Sequence, residues 1–424
     1  MTKNSQTKLL KEITCPFCSL LCDDLEISCQ QERLKVSANG CPIAVTGFEY
    51  KIADIAPHIH GEACTLEQAI EHAARILSNA RHPLISGLGT DVAGSRAAIH
   101  LAESVGAILD HEKSDGAIRN ILVLQSGGWI MTTLAELKNR ADLVVFIGTD
   151  LSNNYPRFYE RFIWNQSSLA GLKSNSRELI YIGKGLNTGA GINPAGVKPT
   201  VINSDSNNLL EYITVIRAML KGMPVRAEQI SHNKLAMLRK VAEQILSAEY
   251  GVFVWAPGEL TEPHAELLIQ SICEMVKELN KSGRYAGLSI GGGNGGITFQ
   301  SVCAWQSGYP GRVSYANGYP EYNPYHLSTR ETLTKSEADA LLWISSLDGK
   351  LKPPKTTIPS IVLSRPSRRQ ALDAEVYIPV GTPGLDQSGN MFRTDSIVNL
   401  PLKQLRQSQY MSVSTILNSI RQAL

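Results

Sequence analysis

From Leu66 onward the chain alternates two kinds of hydrophobic pattern. The stretch LEQAIEHAARILSNA places Leu66, Ala69, Ile70, Ala73, Ala74, Ile76 and Leu77 at the spacing of a helix with one buried face. Thr65 before it, with Gln68 three positions on, predicts a capping box. HPLISGLG, which follows, is short, continuously apolar and runs into glycine, the mark of a buried strand. SRAAIHLAESVGA predicts a second helix and ILDH a further short strand. The pattern then recurs. TLAELKNRADLVVFIGTD reads as a helix feeding a strand, RELIYIG as a strand, and LLEYITVIRAMLKG and HNKLAMLRKVAEQILSA as helices. YGVFVWAPG, HAELLIQSICEMVKELNKS and RYAGLSIGGG give strand, helix, strand, and KSEADALLWISS and TTIPSIVLS add a helix-to-strand passage and a strand. Strands that are apolar throughout, separated by helices, imply parallel sheets covered on both faces. The expected fold class is therefore α/β with doubly wound, Rossmann-like sheets. Two regions depart from it. Residues 1–58 lack long periodicity and read as hairpins and loops. Residues 304–333 are rich in Gly, Pro and Tyr and read as one long connection, of a length usually found in functional or interface-forming segments.

A chain of 424 residues exceeds one ordinary core and predicts two or three domains. Charged residues make up only 19%, below the usual quarter, which favours extensive protein–protein contact. Forty-one Lys and Arg against 39 Asp and Glu leave +2, too weak a field to recruit nucleic acid or anionic lipid. Apolar runs such as ADLVVFIG fall far short of the ~20 residues that span a bilayer, and the N-terminus lacks the apolar run of a secretory signal. The expectation is a cytoplasmic protein with no nucleic-acid or membrane partner. Five of the eight cysteines fall within the first 41 residues, and none lies between Cys64 and Cys273.

That clustering carries the sharpest chemical signal. Cys15, Cys18 and Cys22 stand at C-x2-C-x3-C spacing, and Cys41 follows in Asn39-Gly40-Cys41-Pro42. Four thiolates presented by tight turns are what a [4Fe–4S] cluster requires. Zinc also accepts four cysteines, although structural zinc sites usually come as two C-x2-C knuckles. A third reading is a once-metallated head that now holds together by apolar contacts.

The segment CPFCSLLCDDLEI with its NGCP return resembles the N-terminal cluster domain of molybdopterin-type oxidoreductases and, more closely, the B subunit of formylmethanofuran dehydrogenase. Three further stretches are similar to that family: LQSGGWIMTTLAELKNRADLVVFIGTDLSNNYPRFYERF, AWQSGYPGRVSYANGYPEYNPYH and VYIPVGTPGLDQSGNMFRTDSIVNLPL. Together they run from Cys15 to about Leu402. The resemblance implies a formate dehydrogenase/DMSO reductase-like architecture. Residues 1–58 would be the cysteine-rich head, 59–112 with 310–424 a discontinuous first α/β domain, and 113–309 an inserted second one. In catalytic members a cysteine or selenocysteine near the start of the second α/β unit ligates molybdenum or tungsten. The corresponding segment here, HEKSDGAIRNILVLQ (residues 111–125), contains no cysteine. Ser114 and Asp115 are the oxygen donors available, and a hard oxygen in place of a thiolate changes the chemistry. The resemblance thus implies a chain without molybdopterin or tungstopterin and without catalytic residues of its own, with Cys15, Cys18, Cys22 and Cys41 as the cluster ligands. Its partners would be the A-, C- and D-type subunits of a formyltransferase/hydrolase complex, which moves a formyl group from tetrahydromethanopterin to a methanofuran analogue and hydrolyses it to formate. The alternative is an active molybdenum- or tungsten-pterin formylmethanofuran dehydrogenase chain with an oxygen ligand.

Other motifs point less sharply. Gly87-Leu88-Gly89-Thr90 follows a strand but lacks the third glycine of a dinucleotide fingerprint. Gly291-Gly292-Gly293-Asn294-Gly295-Gly296 reads as a turn that permits close chain passage. His58-Ile59-His60 has the spacing of zinc amidohydrolases but sits in a linker. Arg157 and Arg161, with Tyr155 and Tyr159, read as a solvated or interface face. Tyr309, Tyr319, Tyr322 and Tyr325 fit either local packing or an interface.

Overall fold

A computed structural model describes residues 7–165, 167–204, 209–225 and 230–424. The chain forms two compact units: Asp115–Gly291, and the residues up to Ser114 together with Gly292–Leu424.

Asp115–Gly291 is built on a five-stranded, wholly parallel sheet. Its order is Thr200–Asn203, Glu178–Gly183, Leu143–Ile147, Gly251–Trp255, Tyr285–Ser289. The three central strands are buried along almost their whole length, which is why each reads as continuous Val, Ile, Leu and aromatic residues without alternation. Helices Leu209–Leu220, His232–Ser247 and Ala265–Leu279 contribute Ile213, Ile216, Leu238, Val241, Ile269 and Ile272 to its core.

The other unit carries a nine-stranded sheet whose centre is parallel: Ile108–Leu109, Pro83–Gly89, Ala340–Ser345, Ser360–Ser364 and Val376–Pro379. Antiparallel pairs close both edges, Val313–Ser314 with Glu321–Tyr322 on one side and His58–Ile59 with Glu62–Ala63 on the other. The capping box forms at Leu66–Asn79: the Thr65 hydroxyl accepts from the Gln68 amide at 3.2 Å, and the Gln68 side chain accepts from the Thr65 amide at 3.0 Å. Helices Val92–Val105 and Val413–Gln422 cover the same core.

Two expected boundaries change. Residues 292–309, expected in the inserted domain, belong to the first unit. Helix Gly296–Ser307 starts directly after the glycine turn and buries Phe299, Val302 and Cys303 in that unit's core. The head is also part of this unit and not a separate body. It is a three-stranded antiparallel sheet, Lys8–Ile13, Leu25–Gln30 and Arg33–Ala38, followed by the short helix Pro42–Phe48. Its Leu21 packs with Leu347, Met391 and Leu402. The stretch expected to be a patternless connection holds ordered elements: the end of helix Gly296–Ser307, the two edge strands, and helix Thr329–Thr334.

Candidate functional site

The cysteine loop is closed by its own backbone. The Cys15 amide donates to the Cys22 carbonyl at 2.8 Å and the Leu21 amide to the Cys18 carbonyl at 3.2 Å, with Leu21 in the left-handed region. Cys41 comes from the other side of the head as the N-cap of helix Pro42–Phe48, its sulfur accepting from the Ala44 amide at 3.5 Å. Pro42 at the first helical position fits because it has no amide to leave unpaired. Cys15 and Cys22 are buried, Cys18 and Cys41 half-buried. Burial pushes the Cys15 thiol well up, and Cys18, Cys22 and Cys41 push it further. Cys18 is raised to about 12, first by burial and then by Cys22 and Cys41. The four sulfurs therefore share one electrostatic neighbourhood.

The ground under this loop is built around Arg365. It is buried, its Nη2 donates to the Gly47 carbonyl at 3.1 Å, and its guanidinium lies over the rings of Tyr50 (4.4 Å) and Phe17 (5.5 Å). Burial lowers its pKa to about 10. Phe17 also meets Phe48 edge-on at 5.1 Å. A Cβ at Gly47 would stand 2.3 Å from the Phe17 ring, so only glycine lets that ring seat.

Within residues 111–125, the segment that the resemblance sets against the catalytic family's metal-binding thiolate, Ser114 opens helix Ser114–Gly127. It is buried and engaged on both sides. Its Oγ donates to Asp110 Oδ2 at 3.0 Å and accepts from Arg312 Nη2 at 3.0 Å. Asp110 Oδ2 also accepts from the Thr329 amide (2.7 Å) and hydroxyl (2.9 Å), and Arg312 Nε stands 3.7 Å from Asp110 Oδ1. Burial raises the Asp110 carboxyl, with Arg312 as the main opposing influence. Asp115 is exposed. For Ser114 to hold a metal through oxygen it would have to lose its proton beside a buried carboxylate and leave Arg312 without that acceptor. These residues do not fit a pterin-bound molybdenum or tungsten.

The glycine loop has the packing role. A Cβ on Gly295 would lie 2.8 Å from the Thr90 carbonyl, and one on Gly292 2.6 Å from Ile297, both at positive φ. The turn at Gly87 is as tight, with a Cβ there 2.6 Å from the Ile344 carbonyl. Arg157 differs from expectation: it is buried, not solvated, and binds Glu160 through Nη2 at 2.7 Å and Nε at 3.3 Å. Tyr159 is buried too and donates to the Asp150 carbonyl at 2.6 Å. The four tyrosines divide. Tyr309 and Tyr322 stack at 5.0 Å, whereas Tyr319 and Tyr325 are exposed. Sequence reasoning missed the Asp110–Ser114–Arg312–Thr329 network, since nothing local links residues about 200 positions apart.

Among the described residues no helix is long and apolar enough to cross a membrane. No family model matches the chain. It is 26% identical over 406 residues to the B subunit of the tungsten-containing formylmethanofuran dehydrogenase 2 of Methanocaldococcus jannaschii, covering 92% of each chain. It is 28% identical over 350 residues to the B subunit of the formyltransferase/hydrolase complex Fhc of Methylorubrum extorquens, covering 80% of this chain and 88% of that one. A chain of the crystal structure of that complex, FhcABCD with methylofuran, superposes with a TM-score of 0.74 at 25% identity, over 87% of this chain and 98% of the other. Acetylene hydratase from Pelobacter acetylenicus shares the fold at a TM-score of 0.60 and 10% identity, over 98% of this chain and 69% of that one. The chain is a homologue of the B subunits of formylmethanofuran dehydrogenase and of the formyltransferase/hydrolase complex.

Proposed function

We propose that this chain is the non-redox B-type subunit of a formyltransferase/hydrolase complex, holding A-, C- and D-type partners that convert formyl-tetrahydromethanopterin to formate through a methanofuran analogue. The observation that carries this reading is Ser114. It stands in the cysteine-free segment where the resemblance places the metal-binding thiolate, and its hydroxyl is already committed to Asp110 and Arg312. The chain therefore contributes position and shape, and formyl transfer and hydrolysis belong to other subunits. The test is co-purification from a cell expressing all four chains. The tagged chain should bring down the other three and support formate release from formyl-tetrahydromethanopterin with no electron acceptor. Formyl oxidation that depends on an added acceptor dye would overturn the reading.

The head, in the same reading, holds a [4Fe–4S] cluster through Cys15, Cys18, Cys22 and Cys41. Two features support it: the C-x2-C-x3-C spacing with Cys41 following, and the shared neighbourhood of the four thiols. Such a cluster is structural in this reading, because a chain without a pterin-bound metal has no second centre with which to exchange electrons. An anaerobic absorption spectrum with an iron and sulfide assay tests it. About four irons per chain are expected, and a purified chain with no iron or sulfide would refute it.

A further inference from the structure

We infer that His60, His72 and Glu375 form a binding site for a divalent transition-metal ion of the zinc class, separate from the cysteine head and independent of the chain's role in a complex. The three residues come from three elements brought together by the fold. His60 stands at the tip of the hairpin formed by His58–Ile59 and Glu62–Ala63, and is followed by Gly61; both have positive φ, +50° and +80°. That is the two-residue turn that matches strand twist, and histidine is among the non-glycine residues that enter its left-handed first position. The tip is clamped: the His60 amide donates to the Glu375 carbonyl at 2.7 Å. His72 projects from helix Leu66–Asn79, and Glu375 immediately precedes strand Val376–Pro379, to which the hairpin is paired.

The side chains converge on one oxygen. His72 Nε2 is 3.1 Å and His60 Nε2 3.8 Å from Glu375 Oε1, and the two imidazoles are 5.6 Å apart and nearly perpendicular. All three donor atoms lie within 4.8 Å of one another. Two imidazoles and one carboxylate are an established zinc donor set, and bonds of 2.0–2.1 Å place tetrahedral donors about 3.3 Å apart. The observed spacings reach that by small side-chain shifts. His60 is two-thirds exposed, so a fourth position is open to water. The H-x-H motif does not supply the pair. His58 sits with Nδ1 2.8 Å from the Ala56 carbonyl and its ring against Tyr377. The ion would fasten the hairpin and the first helix of the α/β body to the edge of the sheet.

Cobalt(II) is the probe, because thiolate ligands give sulfur-to-cobalt charge-transfer bands and this donor set gives none. After loading and desalting, the assembled complex should keep one cobalt per chain beyond the amount that the charge-transfer intensity assigns to cysteines. His72→Ala and Glu375→Gln should each lose that equivalent or bind it at least tenfold more weakly, and His58→Ala should retain it. His60→Asn is the safeguard on folding, since asparagine tolerates the left-handed turn; with an unchanged metal-free melting temperature it too should lose the ion. Equal cobalt in wild type and in these variants, or no sulfur-free equivalent in the wild type, overturns the proposal and leaves the cluster as hydrogen bonds alone.

Discussion

Replacing Ser114 by alanine separates the two roles that position can have. As a metal ligand it would be indispensable to activity; as part of a buried polar network it matters only to stability. The structure sets the size of the second effect. The change deletes one donor to a buried carboxylate and one acceptor for a buried guanidinium. Asp110 keeps the Thr329 amide and hydroxyl, so the loss is of the order of hydrogen bonds to charged groups, about 1.5–3 kcal/mol. Asp110→Ala should cost more, about 3–5 kcal/mol, because Arg312 then stays buried without its carboxylate. Thermal unfolding and hydrogen exchange of the assembled complex measure both, with protection lost first at strand Ile108–Leu109 and the start of helix Ser114–Gly127. Formate release should stay within a few-fold of wild type in Ser114→Ala and in the Ser114→Ala/Asp115→Ala double variant, since Asp115 is exposed. A loss of several orders of magnitude in an intact complex would refute the reasoning. So would two single variants that are both as stable as wild type.

Cys18→Ser should release hydrogen-exchange protection across residues 8–48 while the α/β body keeps its own, and unchanged protection would mean that no metal holds the head. Asp91 caps helix Val92–Val105, accepting from the Gly94 amide at 2.9 Å, and burial raises its carboxyl. The ionised form therefore weakens the fold at neutral pH, and the penalty lessens as pH falls through the raised value. Asp91→Asn keeps the cap and should melt higher than wild type at pH 7, with the difference closing on acidification, while Asp91→Ala should lose about 1 kcal/mol; a difference that widens in acid would contradict this. Tyr319→Ala with Tyr325→Ala should weaken subunit association in size-exclusion chromatography with light scattering, because both rings are exposed on a segment rich in interface-type residues. The chain expressed alone should aggregate or melt without cooperativity, and a monodisperse, sharply melting monomer would count against an obligate partnership.

The sequence announces the parallel sheets because their strands are apolar on both faces, and the capping box at Thr65 because its signal spans four residues. Helix Ser114–Gly127 is harder to see. Its two glycines and mixed polar positions leave Val123 as a lone deeply buried apolar residue, so little periodicity marks it. Helix Val413–Gln422, by contrast, has a clean stripe at Val413, Ile416, Leu417 and Ile420 behind the cap Ser412, a signal that was open to reading. Arg157 and Glu160 stand three apart, which is the spacing of a helical ion pair, but nothing local says the pair is buried. The candidate ligands Cys15, Cys18, Cys22 and Cys41 are legible because tight loops fix thiol spacing in sequence. The partners of Ser114, and the meeting of His60 and His72 with Glu375, are tertiary and have no local trace.

The central proposal is that this homologue of formylmethanofuran dehydrogenase B subunits carries no tungsten or molybdenum centre. Metal and pterin analysis of the purified complex tests it most directly. Tungsten and molybdenum should fall far below one per chain with no pterin extracted, whether or not iron is found with the head. One tungsten or molybdenum per chain, with pterin in proportion, would contradict the account.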